Sequence, residues 1–133
     1  MSRRHRQRGS VLVETTLVMT LFLSLVLGVI TLGYLIFTYN SLAFMSQQGA
    51  RWAAVHGSSS TQPATQNTVQ SYVLGQGAGL ATSSLTVQTT WNPNTNPGST
   101  VSVTVTYLAS PLATNFLKNT LTLKSTFSTT ITR

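Results

Sequence analysis

The sequence has no cysteine and a single acidic residue, Glu14, among 133 positions. The first absence excludes disulfides and thiol catalysis, and leaves the redox compartment unreadable from cysteine usage. The second excludes a paired-carboxylate acid/base site. Histidine is nearly absent too: His5 lies near the start and His56 far along the chain. No His/Asp pair is available to a serine nucleophile, and no ligand cluster to a metal ion. His56 reads most simply as a helix C-terminal residue favoured by the helix dipole. No N-x-Ser/Thr sequon occurs, so glycosylation gives no clue. With so little raw material for chemistry, the chain is expected not to be an enzyme and to carry no cofactor and no metal.

What charge there is lies in one place. The formal net charge is +7, yet Arg3, Arg4, Arg6 and Arg8 supply half of the basic residues before the first apolar one. Beyond them stand only Arg51, Lys118, Lys124 and Arg133. A basic cluster can serve nucleic acid, but no basic face recurs elsewhere, so no nucleic-acid partner is expected. The cluster abuts an apolar segment, and cations flanking a first membrane span hold that flank in the cytoplasm.

From Val11 to Phe37 the chain is apolar, interrupted by Glu14, a few Thr and Ser, Gly28 and Gly33. Leu17–Phe37 alone meets the length of about 20 residues that a helical span needs. Thr and Ser are tolerated there because a hydroxyl can bond the carbonyl one turn back. The run is too long for an ordinary secretory signal peptide, and no clear A-x-A site follows it. Gly28 and Gly33 are five apart, which is not a G-x-x-x-G pairing motif.

Beyond Phe37, Leu42, Met45, Gly49, Trp52 and His56 recur at helical spacing. The pattern predicts one continuous helix from about Val11 to Val55, stopped by Gly57 and Ser58-Ser59-Ser60. At 1.5 Å per residue it would be roughly 65–70 Å long, about twice the hydrocarbon thickness. Its lower half can span; its upper half needs protein to pack against.

A short helix is predicted over Thr68–Leu74, ended by Gly75, Gly77 and Gly79. Leu85, Val87, Thr89 and Trp91 then alternate with polar residues, as do Val101, Val103, Val105 and Tyr107. The turn-rich 92–98 segment between them makes this a hairpin with one buried face. Pro111–Leu117 reads as a loop or helical turn, and Leu121, Leu123, Phe127 and Ile131 mark a third strand. Three strands cannot enclose a core alone, so the apolar stripe of the upper helix is their partner. The expected fold class is α+β: a long N-terminal transmembrane helix, continuing amphipathically and packed on a small antiparallel sheet of about three strands. Four segments follow: a basic leader at 1–9, a transmembrane helix at 10–37, its amphipathic continuation at 38–57, and an extracytoplasmic β-containing domain at 58–133.

Glu14 is the informative residue. A carboxylate within a membrane segment costs about 2.5–3.5 kcal/mol on insertion scales. Either it lies solvated at the interface in the first helical turn, or it finds a partner. The apolar segment holds no cation, so a buried partner comes from elsewhere. An α-amine created by cleavage of the chain nearby would serve.

The segment Arg8-Gly9-Ser10-Val11-Leu12-Val13-Glu14 resembles the processing site of type IV pilins and pseudopilins. The resemblance implies that a membrane peptidase cuts between Gly9 and Ser10, making Glu14 the fifth residue of the mature chain. It also implies that Glu14 pairs with the α-amine of a neighbouring subunit during assembly. Gly9–Leu35, Tyr39-Asn40 and the stretch Gly49-Ala50-Arg51-Trp52-Ala53-Ala54 narrow this: they are similar to the TadE-like pseudopilins. That family has a basic leader, G-x-x-x-V-E, an apolar helix, and an A-R-x-A-A element (here Ala50, Arg51, Ala53 and Ala54) before a small β-containing domain. Thr15 departs from the pattern, where an aromatic commonly follows the Glu. Taken without the resemblance, Arg51 is an exposed residue on a helix flank, and Trp52 and the alanines are core beneath the sheet.

The resemblance implies a minor pseudopilin, processed by a prepilin peptidase, taking part in assembly of a tight-adherence (Flp-type) pilus and in surface adhesion. Its partners would be that peptidase, other pilin or pseudopilin subunits, pilus assembly membrane proteins and the lipid bilayer. It would sit in the inner membrane with its N-terminus cytoplasmic, or in a pilus. Two alternatives stay open: a pseudopilin of another secretion or DNA-uptake filament, and an uncleaved single-pass protein with an outer binding or scaffold domain.

Overall fold

A computed structural model describes residues 3–77, 79–109 and 120–133, with side chains from Gly9 onward. The fold is α+β, a long N-terminal helix followed by a three-stranded antiparallel sheet. Helix α1 runs over Arg3–Val55 and α2 over Gln66–Gly75. Strands β1 (Leu85–Asn92), β2 (Thr100–Ala109) and β3 (Leu121–Thr130) follow in simple meander order. The expected loop at Pro111–Leu117 lies outside the described residues. The chain divides into two compact units, Met1–Tyr34 and Leu35–Arg133.

Helix α1 begins at Arg3, eight residues before the expected start at Val11. The basic residues ahead of the apolar run are themselves good helix formers, so nothing in them stops the helix. In the first unit every residue from Gly9 to Leu25 is exposed, although most are apolar. An all-round apolar, uncovered helix is one suited to a non-aqueous environment.

The second unit has an ordinary core. The buried face of α1 is Thr38, Leu42, Met45, Ser46, Gly49, Ala50, Ala53 and Ala54. This corrects the expected stripe in its upper turns. Trp52 and His56 are only half-buried, with Trp52 packed against the margin of the core, while Ala50, Ala53 and Ala54 are buried as expected. A Cβ placed on Gly49 would fall 3.2 Å from Val103 Cγ1 and would also run into Val73 Cγ2. The Val73 and Val103 side chains fill the space over Gly49, so at that turn of the helix no larger residue fits.

Strand alternation is regular. Leu85, Val87 and Thr89 of β1 are buried, as are Val101, Val103, Val105, Tyr107 and Ala109 of β2. The register pairs Val87 with Val105 and Val103 with Phe127, so apolar residues line up across the inner face. The opposite face is hydroxylated: Ser102 and Ser128 lie 2.7 Å apart, Thr104 and Thr126 2.8 Å. Such cross-strand hydroxyl pairs help set the register of the sheet.

Helix α2 closes one edge. Its start is a capping box made of two threonines: Thr68 N–H donates to Thr65 Oγ1, and Thr65 N–H to Thr68 Oγ1. A hydroxyl thus does what Glu usually does at that position. The next side chain, Gln66, meets the edge of β1. Its Nε2 donates to Val87 O at 2.7 Å, and its Oε1 accepts from Thr89 N–H at 2.8 Å. The amide takes the place of a neighbouring strand's backbone and blunts that edge.

The end of α1 is tied to the chain's last residues. Thr132 N–H donates to Ala54 O at 2.9 Å, satisfying a carbonyl that the helix end leaves open. Ala64 N–H donates to His56 O, and Ser58 N–H to Thr95 O in the hairpin turn. A Cβ on Gly57 would sit 2.9 Å from Thr95 O and closer still to Arg133 O, so only glycine fits there.

The close approach at Gly49 makes a prediction in which two effects oppose. Gly→Ala in a helix gains up to about 1 kcal/mol of propensity, whereas overpacking a dense core costs about 1–3 kcal/mol. Gly49→Ala should therefore lower stability by about 1 kcal/mol net. Thermal unfolding of the detergent-solubilised chain, followed by tryptophan fluorescence, measures it. Gly75→Ala, where an added Cβ meets nothing within 4 Å, should not lower the midpoint.

Candidate functional site

The start of α1 carries the sequence features of interest. Gly9, Ser10 and Glu14 all lie on helical backbone and all are exposed. Ser10 and Glu14 are one turn apart and share a helix face, about 6 Å along the axis. Val11, Leu12 and Val13 between them are each 60% exposed or more. Arg3, Arg4, Arg6 and Arg8 occupy the preceding helical turns, and their side chains lie outside the described residues.

The hydroxyls of the apolar segment are satisfied internally. Thr15 Oγ1 donates to Val11 O, Thr16 to Leu12 O, Thr20 to Thr16 O, Ser24 to Thr20 O and Thr31 to Leu27 O, all at 2.8–2.9 Å. A bond to the carbonyl one turn back removes the desolvation cost of each hydroxyl in hydrocarbon. Glu14 is the exception, the one side chain of the segment that carries a formal charge. By length and composition, this is a helix able to cross a membrane, and none of its apolar window is buried within the chain.

Farther along, Ala50, Ala53 and Ala54 are buried against the sheet while Arg51 points outward, exposed. The A-R-x-A-A element is thus split by the helix period into three packing residues and one surface cation. Trp52 and His56 flank that core. The His56 ring stacks on Trp52 with centroids 4.1 Å apart, and Tyr72 of α2 stacks beside Trp52 at 5.4 Å. His56 Nδ1 lies 2.8 Å from Trp52 O, which can only accept, so that nitrogen carries the proton. Among the described residues no three His, Cys, Asp or Glu side chains come together.

Two features escaped the sequence. Gln66 looked like an ordinary polar helix residue, and nothing local marks it as the partner of β1. Phe44 sits on α1 away from the buried stripe and is 49% exposed. Its departure from the amphipathic pattern was the signal, since a large apolar residue stood among Asn40, Gln47, Gln48 and Arg51.

Comparison with known families matches residues 9–51 to the model described as TadE-like protein. No curated protein and no solved structure matches the chain. The matched stretch takes in Gly9, Ser10, Glu14, Ala50 and Arg51. It stops short of Ala53 and Ala54 and leaves out the basic residues before Gly9. Its whole length lies on α1, so the similarity to TadE-like proteins is carried by the long N-terminal helix and covers about a third of the chain.

Proposed function

We propose that this chain is a minor pseudopilin of a tight-adherence (Flp-type) pilus system. A prepilin peptidase hydrolyses the Gly9–Ser10 bond, and the processed chain takes part in pilus assembly and in surface adhesion. The observation that carries this reading is the uncovered apolar helix holding one carboxylate, Glu14, within the segment that matches the TadE-like model.

The physical argument starts from depth. Between Phe37, the end of the apolar run, and Glu14 lie 23 helical rises, about 35 Å. A hydrocarbon core is about 30 Å thick. With Phe37 at the outer boundary, Glu14 sits at the inner one, and Gly9–Ser10 lies a further 6–8 Å or so toward the cytoplasm. The scissile bond is then within reach of a peptidase at the inner face. Gly9 also weakens the helix there by about 1 kcal/mol relative to alanine, which favours the local unwinding that cleavage requires.

Hydrolysis leaves Gly9 with a carboxylate and Ser10 with a free α-amine. Four arginines depart with the leader, and the new amine stands one turn from Glu14. In a single subunit the two lie at the membrane edge. In an assembling filament, the Glu14 of one subunit meets the amine of the next, and lipid gives way to neighbouring helices. Breaking such a pair by removing one charge costs about 3–5 kcal/mol when it is buried. The pair therefore fixes register as well as attracting. The outer unit brings no acid of its own, and its polar, hydroxyl-rich sheet face remains free to meet a surface.

Two measurements test the reading. Intact-mass analysis of the membrane-extracted protein should find a chain beginning at Ser10; recovery of residues 1–9 on the mature protein would refute processing. Glu14→Ala should be cut as efficiently as the parent chain but enter pili at a rate at least about tenfold lower, the effect of losing roughly 1.4 kcal/mol of pairing. Normal incorporation of that variant, quantified by immunoblot of sheared pili, would refute the pairing.

A further inference from the structure

The sheet ends in two different edges. At β1 the amide of Gln66 engages Val87 O and Thr89 N–H, outward groups in the middle of that strand. At β3, among the described residues, the backbone pairs with β2 alone. The strand holds no proline and keeps an unbroken register from Leu121 to Thr130, so no bulge turns it away. A long, regular edge of this kind can accept a further strand.

Its outward groups follow from the ladder. Ile131 N–H donates to Ser99 O at the end of the β2–β3 pair, and bonded and outward residues alternate along an antiparallel strand. The row facing away from β2 is therefore Thr122, Lys124, Thr126, Ser128 and Thr130. Their side chains share the hydroxylated face of the sheet. On the other face Leu123 and Phe127 are only partly buried, whereas Val101, Val103 and Val105 of β2 are covered completely. One more strand beside β3 would cover them too.

Lys124 is the one charged residue on β3. It penalises an incoming strand that brings a cation and favours one that brings a carboxylate. A second copy of the chain has none to offer, since no Asp or Glu follows Glu14. Direction also argues against a copy. β3 runs in the same sense as the part of α1 beside it, with Ser125 next to Ser46 and Thr132 next to Ala54. Copies anchored by α1 in one membrane hold their β3 strands in the same sense. Parallel pairing about a two-fold axis would set the apolar side of one sheet against the hydroxyl side of the other. Pairing with a neighbour's β1 would meet Gln66.

We propose that the β3 edge receives an extended strand from a different protein. That strand carries apolar side chains at alternate positions, covering Leu123 and Phe127, and a carboxylate on its other face, opposite Lys124. The open edge does not depend on α1 being a span; the argument from direction does.

Hydrogen exchange resolved to single amides tests this on the full chain in nanodiscs, with the peptide Ser-Val-Thr-Val-Glu-Val-Thr-Val-Ser as probe. Without peptide, the amides of Lys124, Thr126 and Ser128 should exchange at least about tenfold faster than those of Ser125 and Phe127. Saturating peptide should slow them to the rate of their neighbours. Lys124→Glu should bind the peptide about fivefold more weakly, the effect of one exposed ion pair, and should prefer a peptide with Lys in place of Glu. Slow exchange of the outward row without peptide would overturn the proposal: at every protein concentration, because the chain covers its own edge; at high concentration alone, because a second copy does. No binding, or binding that leaves the row fast or ignores Lys124→Glu, would overturn it as well. Bilayer protection of Leu17–Ile30 reports the span separately, so failure there is distinct from failure at the edge.

Discussion

The close contact between α1 and the sheet is the interaction on which the outer unit depends. Three strands present one apolar face, and Val101, Val103 and Val105 on that face are wholly buried. They share one core with Leu42, Met45, Ala50, Ala53 and Ala54 of α1, and the Val103 side chain packs into the space that Gly49 leaves. Sheets this small do not hold together unsupported, and no disulfide is possible here. The helix end is bound in turn by the last residues, through Thr132 to Ala54 O and the crowding at Gly57. The sheet is therefore built onto the C-terminal part of α1. Any change that separates them, such as a larger residue at Gly49, affects both.

One helix consequently meets two kinds of environment. From Gly9 to Leu25 it is uncovered and apolar; from Thr38 to Ala54 it is one layer of a packed core. The first stretch answers its hydroxyls internally, by bonds from Thr and Ser to the preceding turn. The second uses small residues to gain packing density. Charge is kept out of both, with Glu14 and Arg51 as the exceptions, one near the start of the apolar stretch and one on the outward flank. In a chain so short of charge, a single carboxylate carries most of the electrostatic information.

Much of this was legible in the residues. Helical spacing from Leu42 to Gly49 and period two from Leu85 to Trp91 and Val101 to Tyr107 pointed to the elements and the inner faces, because burial repeats with the geometry of each element, whereas the strand order came from the structure alone. The upper turns of α1 were misread for a physical reason. Trp52 and His56 have the spacing and size of core residues, but the face of those turns turned to the core is that of Ala50, Ala53 and Ala54, and which face meets the sheet is a tertiary property. They stack at the margin instead, with Tyr72. Gln66 was beyond sequence reasoning for the same cause: an amide that completes a strand edge is recognised only once the edge is beside it. At the N-terminus, Gly9 and Glu14 were legible as a pattern, whereas the chemistry proposed for them involves a peptidase and a second subunit.

The central claim is that α1 crosses a membrane with the sheet on the far side from the basic leader. The absence of cysteine gives a clean background for testing it. A single Ser83→Cys substitution, at an exposed position ahead of β1, should react with a membrane-impermeant maleimide in intact spheroplasts as fully as after lysis. Reaction only after lysis would contradict the account.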